Sequence, residues 1–299
     1  MNRIARKLVL SALTVVLTVV ALGTTTFAWF TLTNTAVVQP FQANIVADTG
    51  IEVSLDEIDW YTSISETLIE TYITDTFGAF NFVHLTTVNG YGSFKTLGAT
   101  GLEDAASGWL QIPLYFRSNS ATAIDWSAVT LTSPLSQWQS DVAFTSTTGA
   151  ISAGEFLDQD ASNAMRISIQ GTVAAANNVV VFERAATNNF NVVLGGDGTT
   201  PIDYSNAGIG NAGSYNYYYI KTNALITGTD AVVAAPTVTV INAGAVQRVT
   251  DLVADVQYGT AYAGQIIIRI WLEGWDADAY NSILARQIEA GFTFIGGTA

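Results

Sequence analysis

Short segments rich in apolar, β-branched and aromatic side chains recur along the chain after residue 40 and predict strands. They are residues 41–47, 51–55, 109–117, 122–132, 163–170, 178–183, 238–241, 248–258, 265–273 and 288–295. In the first two of these segments, apolar and polar residues alternate with period two. Alternation of this kind predicts half-buried strands. Short strands separated by Gly, Asn and Ser indicate an all-β antiparallel β-sandwich or jelly roll rather than βαβ units.

Other segments interrupt this strand pattern. Residues 56–72 place apolar side chains near helical spacing, which predicts a short helix or an irregular loop. A second brief helix could begin with Asp278 as its cap. The Asn89-Gly90 dipeptide suits a hairpin turn. Residues 187–235, rich in Asn, Gly and Tyr, predict an elaborated loop insertion in the sandwich.

Residues 153–161 resemble a surface loop, and Pro113 predicts an edge or a bulge inside its strand. Proline has no backbone N–H, so it cannot donate a hydrogen bond to a neighbouring strand at that position. The strand at 109–117 is otherwise the clearest in the chain.

The N-terminus carries the features of a secretion signal. Arg3, Arg6 and Lys7 precede an apolar run at 8–22, and residues 26–28 place small side chains at the two positions that a signal peptidase reads. We predict a signal peptide at 1–28, cut after Ala28. The run of about fifteen residues is shorter than the roughly 20 of a spanning helix. Extended through residue 30, it would leave an uncleaved membrane anchor as the alternative.

Cleavage after Ala28 would free a strand at the first residue of the mature domain, 29–299. Residues 29–38 are rich in aromatic and β-branched side chains and predict a strand with no preceding element to pair it. Its apolar side chains, which we name as assembly residues, are Trp29, Phe30, Leu32, Val37, Val38 and Phe41. An ordinary first strand, folded onto its own sheet, explains the pattern equally well.

Charge restricts the partners of the mature chain. It keeps 8 of the 11 Lys and Arg residues against 25 Asp and Glu, a formal charge of −17. Nucleic acid and anionic lipid require the opposite sign, so we expect neither as a partner. Cysteine is absent, which excludes disulfides and thiolate metal sites. These features fit a secreted, extracellular protein.

Three stretches carry a family resemblance. The FAWFT junction at 27–31, followed by FQANI at 41–45, resembles the start of the TasA/camelysin-like family of secreted bacterial surface proteins. Residues 110–118 (LQIPLYFRS) and 270–278 (IWLEGWDAD) look like segments that recur in such proteins. The match covers about a quarter of the chain, and residues 187–235 have no counterpart in it.

The resemblance implies a jelly-roll subunit that polymerises into the fibres of an extracellular or biofilm matrix. The N-terminal strand of one subunit, 29–43, would act as a donor strand in the sheet of the next subunit. The partners would then be copies of the chain itself and other surface or matrix components. Contact with a membrane would occur only through the uncleaved signal.

The sequence supports no catalytic activity. His84 is the only histidine, which excludes a zinc site of the His-Glu-x-x-His type, so the protease activity ascribed to some relatives does not carry over. A lone histidine in an apolar strand is typical of a core position. The Gly-rich residues 195–198 lack the Lys and the helix of a phosphate-binding loop.

No cofactor is expected, with calcium as the exception that the sequence leaves open. Glu273, Asp276 and Asp278 could supply oxygen ligands for Ca²⁺, although acids at a strand end also serve as caps. Tyr215–Tyr219 residues together with Trp275 could form platforms for a glycan or could pack in an interface. The two alternatives to a fibre subunit are a monomeric adhesin or glycan-binding module and a membrane-anchored virion or envelope protein.

Overall fold

The structure is a computed structural model that describes residues 42–47, 50–98, 101–185, 213–223, 235–280 and 286–298. The signal peptide 1–28, its cleavage site at Ala28 and the strand expected at 29–38 lie outside these residues. All six assembly residues do so as well, namely Trp29, Phe30, Leu32, Val37, Val38 and Phe41. No helix among the described residues is long and apolar enough to cross a membrane.

The described chain is mostly strand, which confirms the all-β, sandwich-like fold. In chain order the strands are β1 (Gln42–Ala47), β2 (Ile51–Ser54), β3 (Ser63–Ile64), β4 (His84–Leu85), β5 (Lys95–Gly98), β6 (Gly101–Asp104), β7 (Leu110–Ser118), β8 (Ala123–Thr132), β9 (Ser136–Gln139), β10 (Phe144–Ser146), β11 (Gly149–Ile151), β12 (Phe156–Gln159), β13 (Met165–Val173), β14 (Ala176–Glu183), β15 (Gln247–Asp251), β16 (Val253–Ala254), β17 (Tyr262–Glu273) and β18 (Glu289–Gly297). The strands of eight or more residues are β7, β8, β13, β14, β17 and β18.

Two α-helices accompany the strands. Helix α1 (Glu66–Phe77) buries Ile69 against the core and stops at Gly78, whose φ of 64° is a conformation that glycine adopts without steric cost. It confirms the helical alternative for 56–72, although it begins and ends later than the pattern suggested. Helix α2 (Ser214–Thr222) lies in the expected insertion, and a 3-10 helix spans Ala161–Ala164.

The larger sheet has seven strands, and β17 forms its centre. The strand order is β14-β13-β17-β7-β2, and β4 and β16 also pair with β17. The strand of twelve residues thus has partners on both sides along its length. Its run of β-branched residues, typical of a strand buried on both faces, is explained by that position.

The smaller sheet has five strands in the order β15-β8-β18-β1-β3. Its strand β1 runs parallel to β18, with Gln42 beside Glu289 and Ala47 beside Phe294. This pair and the short β4–β17 pair are parallel in a fold whose other described strand pairs are antiparallel. The first described strand and the last strand of the chain lie side by side.

Side chains from the facing sides of the two sheets form the main core. Across the interface Phe116 of β7 meets Phe294 of β18 edge-on, with ring centroids 5.3 Å apart. Trp126 of β8 packs against Phe182 of β14 and Phe292 of β18, at 6.0 Å in each case. Such aromatic pairs add to the burial of apolar area that stabilises the sandwich.

Several local expectations are confirmed. Strands β13 and β14 form the antiparallel pair that the sequence predicted. The turn around Asn89-Gly90 lies between β4 and β5, which an isolated antiparallel bridge from Thr86 to Lys95 joins. Pro113 pairs with Ile267 of β17, whereas β2 reaches only residues 115–118, so β7 is an edge on its other side at Pro113 among the described residues.

Other local expectations were wrong. Residues 153–161 contain strand β12, which pairs with β9, rather than only a surface loop. Residues 238–241 make a single parallel bridge from Val238 to Phe182 rather than a strand. Asp278 lies in a turn, and residues 281–285 of the expected second helix lie outside the described chain.

Candidate functional site

Charged and aromatic side chains are concentrated on the face of the seven-stranded sheet that points away from the main core. Because alternate residues of a strand face opposite ways, Ile268 and Ile270 of β17 enter the core while Arg269, Trp271 and Glu273 face outward. A second, smaller core covers part of this outer face with Leu85, Phe94 and Val181 around Trp271. The charges on this face are therefore largely removed from water.

Arg166 of β13 is the centre of a buried charge cluster. Its Nη2 lies 2.7 Å from Oδ2 of Asp276 and 2.7 Å from Oε2 of Glu183. The Arg166 side chain is 1% exposed and that of Asp276 is not exposed at all. Strand pairing sets this geometry, since Arg166 lies directly between Glu183 and Trp271 across the sheet.

Glu273 completes the cluster on the other side of Trp271. Its carboxylate accepts hydrogen bonds from the Trp271 indole at 3.1 Å and from the backbone N–H of Trp275 at 3.2 Å. Burial raises the pKa of Glu273. Burial alone would lower the pKa of Arg166, but attraction by Asp276, Glu183 and Glu273 outweighs it, so the net direction is upward.

Burial also controls the acids of the turn after β17. It raises the pKa of Asp276 to about 7, against the opposing attraction of Arg166. It raises the pKa of Asp278 to about 6, although the Asn163 amide donates a hydrogen bond to that carboxylate at 3.3 Å. The guanidinium of Arg166 is thus the positive charge that opposes this rise in pKa at both Asp276 and Asp278.

Calcium at Glu273, Asp276 and Asp278 stays a prediction, and two features of the geometry bear on it. In the described chain, no group of three or more acidic or histidine side chains is placed to hold a metal ion. One oxygen of Asp276 accepts from Arg166, and the other accepts from the backbone N–H of Asp278 at 2.9 Å. These contacts use the oxygens that a cation would need.

His84 is a core residue, as the sequence analysis expected. It is completely buried in β4, beside Leu272 of the central strand. Burial lowers the pKa of His84 to about 4, and a hydrogen bond with the backbone of Ala279 opposes that shift. At neutral pH the imidazole is therefore uncharged and inaccessible to a substrate.

Helix α2 holds the acidic turn in place. The Ser214 hydroxyl donates to the carbonyl of Asp276 at 2.6 Å, and its backbone N–H donates to the carbonyl of Ala277 at 2.9 Å. Gly213 comes so close that a Cβ there would meet the Ala277 carbonyl oxygen at 2.6 Å. The part of the insertion that is described is therefore built into the domain.

The aromatic residues of this region pack inside the protein. Trp275 is fully buried, and Tyr217 is 4% exposed in a cluster with Trp138, Phe144 and Tyr280. Of the two interpretations of the tyrosine-rich segment, packing is confirmed for Tyr217 and Tyr218. Neither ring offers an open face to a glycan.

A different kind of candidate site is an incompletely paired strand, β8. Strand β18 pairs with β8 along its whole length, whereas β15 pairs on the other side only with residues 123–126. Among the described residues, no strand pairs with the second side of residues 128–132, and the Trp126 indole donates to the carbonyl of Ala128 at 3.0 Å. Leu131 in this stretch is buried, whereas Thr130 and Thr132 are exposed. We call residues 128–132 the open half of β8.

The other long strands have their free edges partly covered. The Tyr72 hydroxyl of helix α1 donates to the carbonyl of Gln111 at 3.4 Å, beside the part of β7 that β2 does not reach. On β14, the backbone N–H of Val238 donates to the carbonyl of Val181 at 2.7 Å. The open half of β8 is thus one candidate for pairing with another strand, and residues 176–180 of β14 form a second stretch without a described strand on one side.

Arg166 and Glu183 were missed as functional or structural centres by the sequence analysis. The available signal was a single arginine inside the apolar strand of residues 165–169, since an arginine there must find acidic partners or remain costly. The sequence did not show which acids those were.

No family model, curated protein or solved structure matches this chain.

The charge cluster predicts a large effect for one arginine substitution. Arg166→Met should lower the free energy of unfolding by about 3–5 kcal/mol, because it leaves buried carboxylates without a counter-charge. Arg117→Met, which breaks the partly exposed pair with Glu52, should cost about 1 kcal/mol or less. Urea unfolding followed by circular dichroism measures both. Equal losses in the two variants would contradict the structural role of the cluster.

His84 predicts a pH-dependent difference between two proteins. Its folded pKa lies below the usual value of 6.5, so its stabilising contribution is present above pH 6.5 and is lost as the pH falls towards 4. His84→Leu removes this contribution. Relative to the variant, the wild type should lose about 2 kcal/mol of unfolding free energy between pH 7 and pH 4.5. A pH-independent difference in urea unfolding would contradict the shifted histidine. Asp276 and Asp278 titrate in both proteins, so to a first approximation their contributions cancel.

Proposed function

We propose that this protein is a secreted structural subunit of an extracellular fibre or surface matrix, assembled by donation of the N-terminal strand to a neighbouring subunit. The observation that carries the proposal is the open half of β8. A strand from another copy could pair there, with main-chain hydrogen bonds supplying affinity and alternating side chains setting the register. The principal partner is therefore the chain itself, with other matrix components as secondary partners.

The donor segment, residues 29–43, has a sequence that suits a strand at the edge of a sheet. Between residues 30 and 38 the even positions are apolar except for Asn34, and the odd positions are threonine except for Val37. A strand with one apolar face and one hydroxyl face matches a sheet that is buried on one side. The open half of β8 has the same alternation, with Leu131 buried between exposed Thr130 and Thr132.

The position of β1 fixes where the start of the described chain, Gln42, lies in the five-stranded sheet. Gln42 lies beside Glu289, and Glu289 also pairs with Thr132 at the far end of β8. The chain before Gln42 therefore joins the sheet at the end where the open half of β8 stops. Donor and acceptor are different surfaces, so the contact is heterologous, and repeating such a contact without ring closure produces a fibre.

Three sequence features support the part of the proposal that places the protein outside the cell. They are the signal at 1–28, the absence of cysteine and the resemblance of the junction at 27–31 to the TasA/camelysin-like family. The protein would be extracellular and would contact a membrane only before its signal is cleaved. No catalytic activity is part of this proposal.

Truncation at the N-terminus tests donation directly. Protein beginning at Trp29 should form fibres visible by electron microscopy and sediment as a polymer, whereas protein beginning at Gln42 should remain monomeric. The physical reason is that the second form lacks the segment that pairs with the neighbour. Monomers in both forms would overturn the proposal and favour the adhesin alternative. Retention of residues 1–28 in the mass of the natural protein would favour the membrane-anchored alternative.

A matched pair of substitutions separates pairing from a general effect of length. Leu32→Asp places a charge on the apolar face of the donor segment and should abolish fibres, because burying an unpaired carboxylate is costly. Thr33→Asp places the same charge on the hydroxyl face and should leave fibres largely intact. Equal effects of the two substitutions would contradict a donor strand with one buried face.

Disulfide trapping tests the acceptor, and the absence of cysteine gives a clean background. Thr130→Cys in the open half of β8 is combined with Thr31→Cys, Thr33→Cys or Thr35→Cys in the donor segment. Adjacent strands bring Cα atoms within about 4.4–6.8 Å, the range that a disulfide bridges. One of the three combinations should give a ladder of cross-linked oligomers on non-reducing gels.

The control for trapping moves one cysteine away from the proposed acceptor. Ser107 is exposed in a bend outside β8. Ser107→Cys, combined with the same donor cysteines, should give no ladder. Ladders with Ser107→Cys but not with Thr130→Cys would place the acceptor elsewhere. Monomeric intramolecular disulfides would show that the segment folds back onto its own sheet.

A further inference from the structure

An open cleft on the outer face of the seven-stranded sheet has the composition of a ligand site. Its volume is about 290 Å³, and its lining includes Tyr91, Ser93, Asp104, Trp109, Gln111 and Arg269. The lining comes from the loop before β5, from β6 and from the sheet. This cleft is separate from the Arg166 cluster and from the open half of β8.

Arg269 on the cleft wall is a buried cation with neutral partners. The residue is 7% exposed, its Nε donates to the Gln111 side-chain oxygen at 2.9 Å, and its Nη1 donates to that of Gln170 at 2.8 Å. In the described part of the chain no carboxylate forms an ion pair with it. Burial lowers the pKa of Arg269, as expected for a charge without a counter-charge.

Arg269 and Arg166 differ in the partners of their buried charges. Both arginines lie on the outer face of neighbouring strands, but Arg166 is matched by buried acids, whereas Arg269 is matched by two amides. A guanidinium carries five N–H groups, and the two amide contacts use only two of them. An unmatched buried charge is costly, and an anion arriving from outside would relieve that cost.

The side chains around Arg269 are held in fixed positions. Gln170 donates through its amide nitrogen to Asn177 at 2.7 Å, which orients its oxygen towards Arg269. The loop that carries Tyr91 is closed by Asn89, whose side-chain oxygen accepts from the backbone N–H groups of Tyr91 and Gly92 at 3.0 Å each. A guanidinium held in this way is prepared for a planar, two-oxygen partner.

The rest of the lining selects among anions. Asp104 on the rim accepts a hydrogen bond from Lys95 Nζ at 3.0 Å, and its other oxygen, with Ser93 and Gln111, offers hydrogen-bond partners for hydroxyl groups. Tyr91 is 38% exposed and Trp109 is half-buried and stacked on Phe94, with ring centroids 4.6 Å apart. Aromatic rings beside such polar groups are suited to a ligand with an apolar face and a hydroxylated edge.

Size and overall charge limit the ligand further. Ligand pockets commonly measure about 300–1,000 Å³, so this cleft fits a unit the size of one sugar rather than a long chain. The formal charge of the protein, −14, disfavours densely charged polyanions. A single carboxylate on a hydroxylated ring meets both conditions.

We propose that this cleft binds a hexuronic acid unit, with the carboxylate paired to Arg269, the hydroxyls bound by Asp104, Ser93 and Gln111, and the ring beside Tyr91 and Trp109. The site is independent of strand donation, because none of its residues belongs to the donor segment or to β8. A fibre subunit and a monomeric protein could both carry it.

Calorimetric titration of the full chain with methyl glucuronide, methyl glucoside, acetate and benzoate tests the proposal. Methyl glucuronide should bind at least about tenfold more tightly than the neutral glucoside or acetate, because only it offers both the carboxylate and the ring. Benzoate, which has a ring and a carboxylate but no hydroxyls, should also bind more weakly than the glucuronide. Equal affinity for glucuronide and glucoside, or no heat with glucuronide up to about 20 mM, would overturn the carboxylate site. Binding of benzoate in preference to glucuronide would overturn the sugar assignment.

Matched variants locate the binding. Arg269→Gln should weaken glucuronide binding about tenfold or more, and Tyr91→Ala, at an exposed position, about threefold or more. Arg117→Gln removes an arginine from the same face of the sheet, outside the cleft, and should leave the affinity unchanged. If Arg269→Gln fails to fold, Tyr91→Ala and the ligand series still decide the question. Unchanged affinity in Tyr91→Ala, or an equal loss in Arg117→Gln, would contradict the site.

Discussion

Strand β17 is the element on which the rest of the structure depends, because both of its faces are buried. One face contributes Ile266, Ile268 and Ile270 to the main core between the sheets. The other presents Arg269, Trp271 and Glu273, which a second set of elements must cover or pair. Loss of this strand would remove partners from β7, β13, β4 and β16 at once. A single run of twelve residues thus joins the hydrophobic core to the charged outer face.

Two arginines on that outer face show how similar sequence positions acquire different roles. Arg166 has Asp276 and Glu183 at 2.7 Å, so its charge is neutralised inside the protein. In the part of the chain that the structure describes, Arg269 donates to the side-chain oxygens of Gln111 and Gln170, and it lines an open cleft. The first arrangement stabilises one conformation of the turn after β17 and of helix α2 above it. For the second we have proposed an anionic ligand as the partner.

The edges of the two sheets connect the fold with the proposed assembly. Several border strands are short, as in β2 and β3, and the free stretch of β7 contains Pro113 and faces helix α1. Such features discourage unwanted pairing between sheets. Residues 128–132 of β8 lack them in the described chain. The donor segment proposed for this edge would therefore extend the pairing of β8 over residues 128–132.

The sequence by itself determined the elements that depend on local patterns. Runs of apolar and β-branched residues bounded by Gly, Asn and Ser placed β7, β8, β13, β14, β17 and β18 correctly, because strands packed in a sandwich select such side chains. The burial of lone His84 followed from its apolar neighbours in the same way. Helix α1 was recognised only as one of two alternatives, since its apolar positions are few and its ends carry weak signals.

Tertiary structure decided what depends on residues distant in the chain. Calcium at Glu273, Asp276 and Asp278 was plausible from spacing, but strand pairing brings Arg166 from 110 residues away to face Asp276. The parallel pairing of β1 with β18 and the unpaired half of β8 are also invisible locally, because register and strand order are set by contacts between sheets. The meeting of Arg269 with Trp109, Tyr91 and Asp104 in one cleft has the same origin. Local periodicity records which face of a strand is buried, and only the fold shows what lies against it.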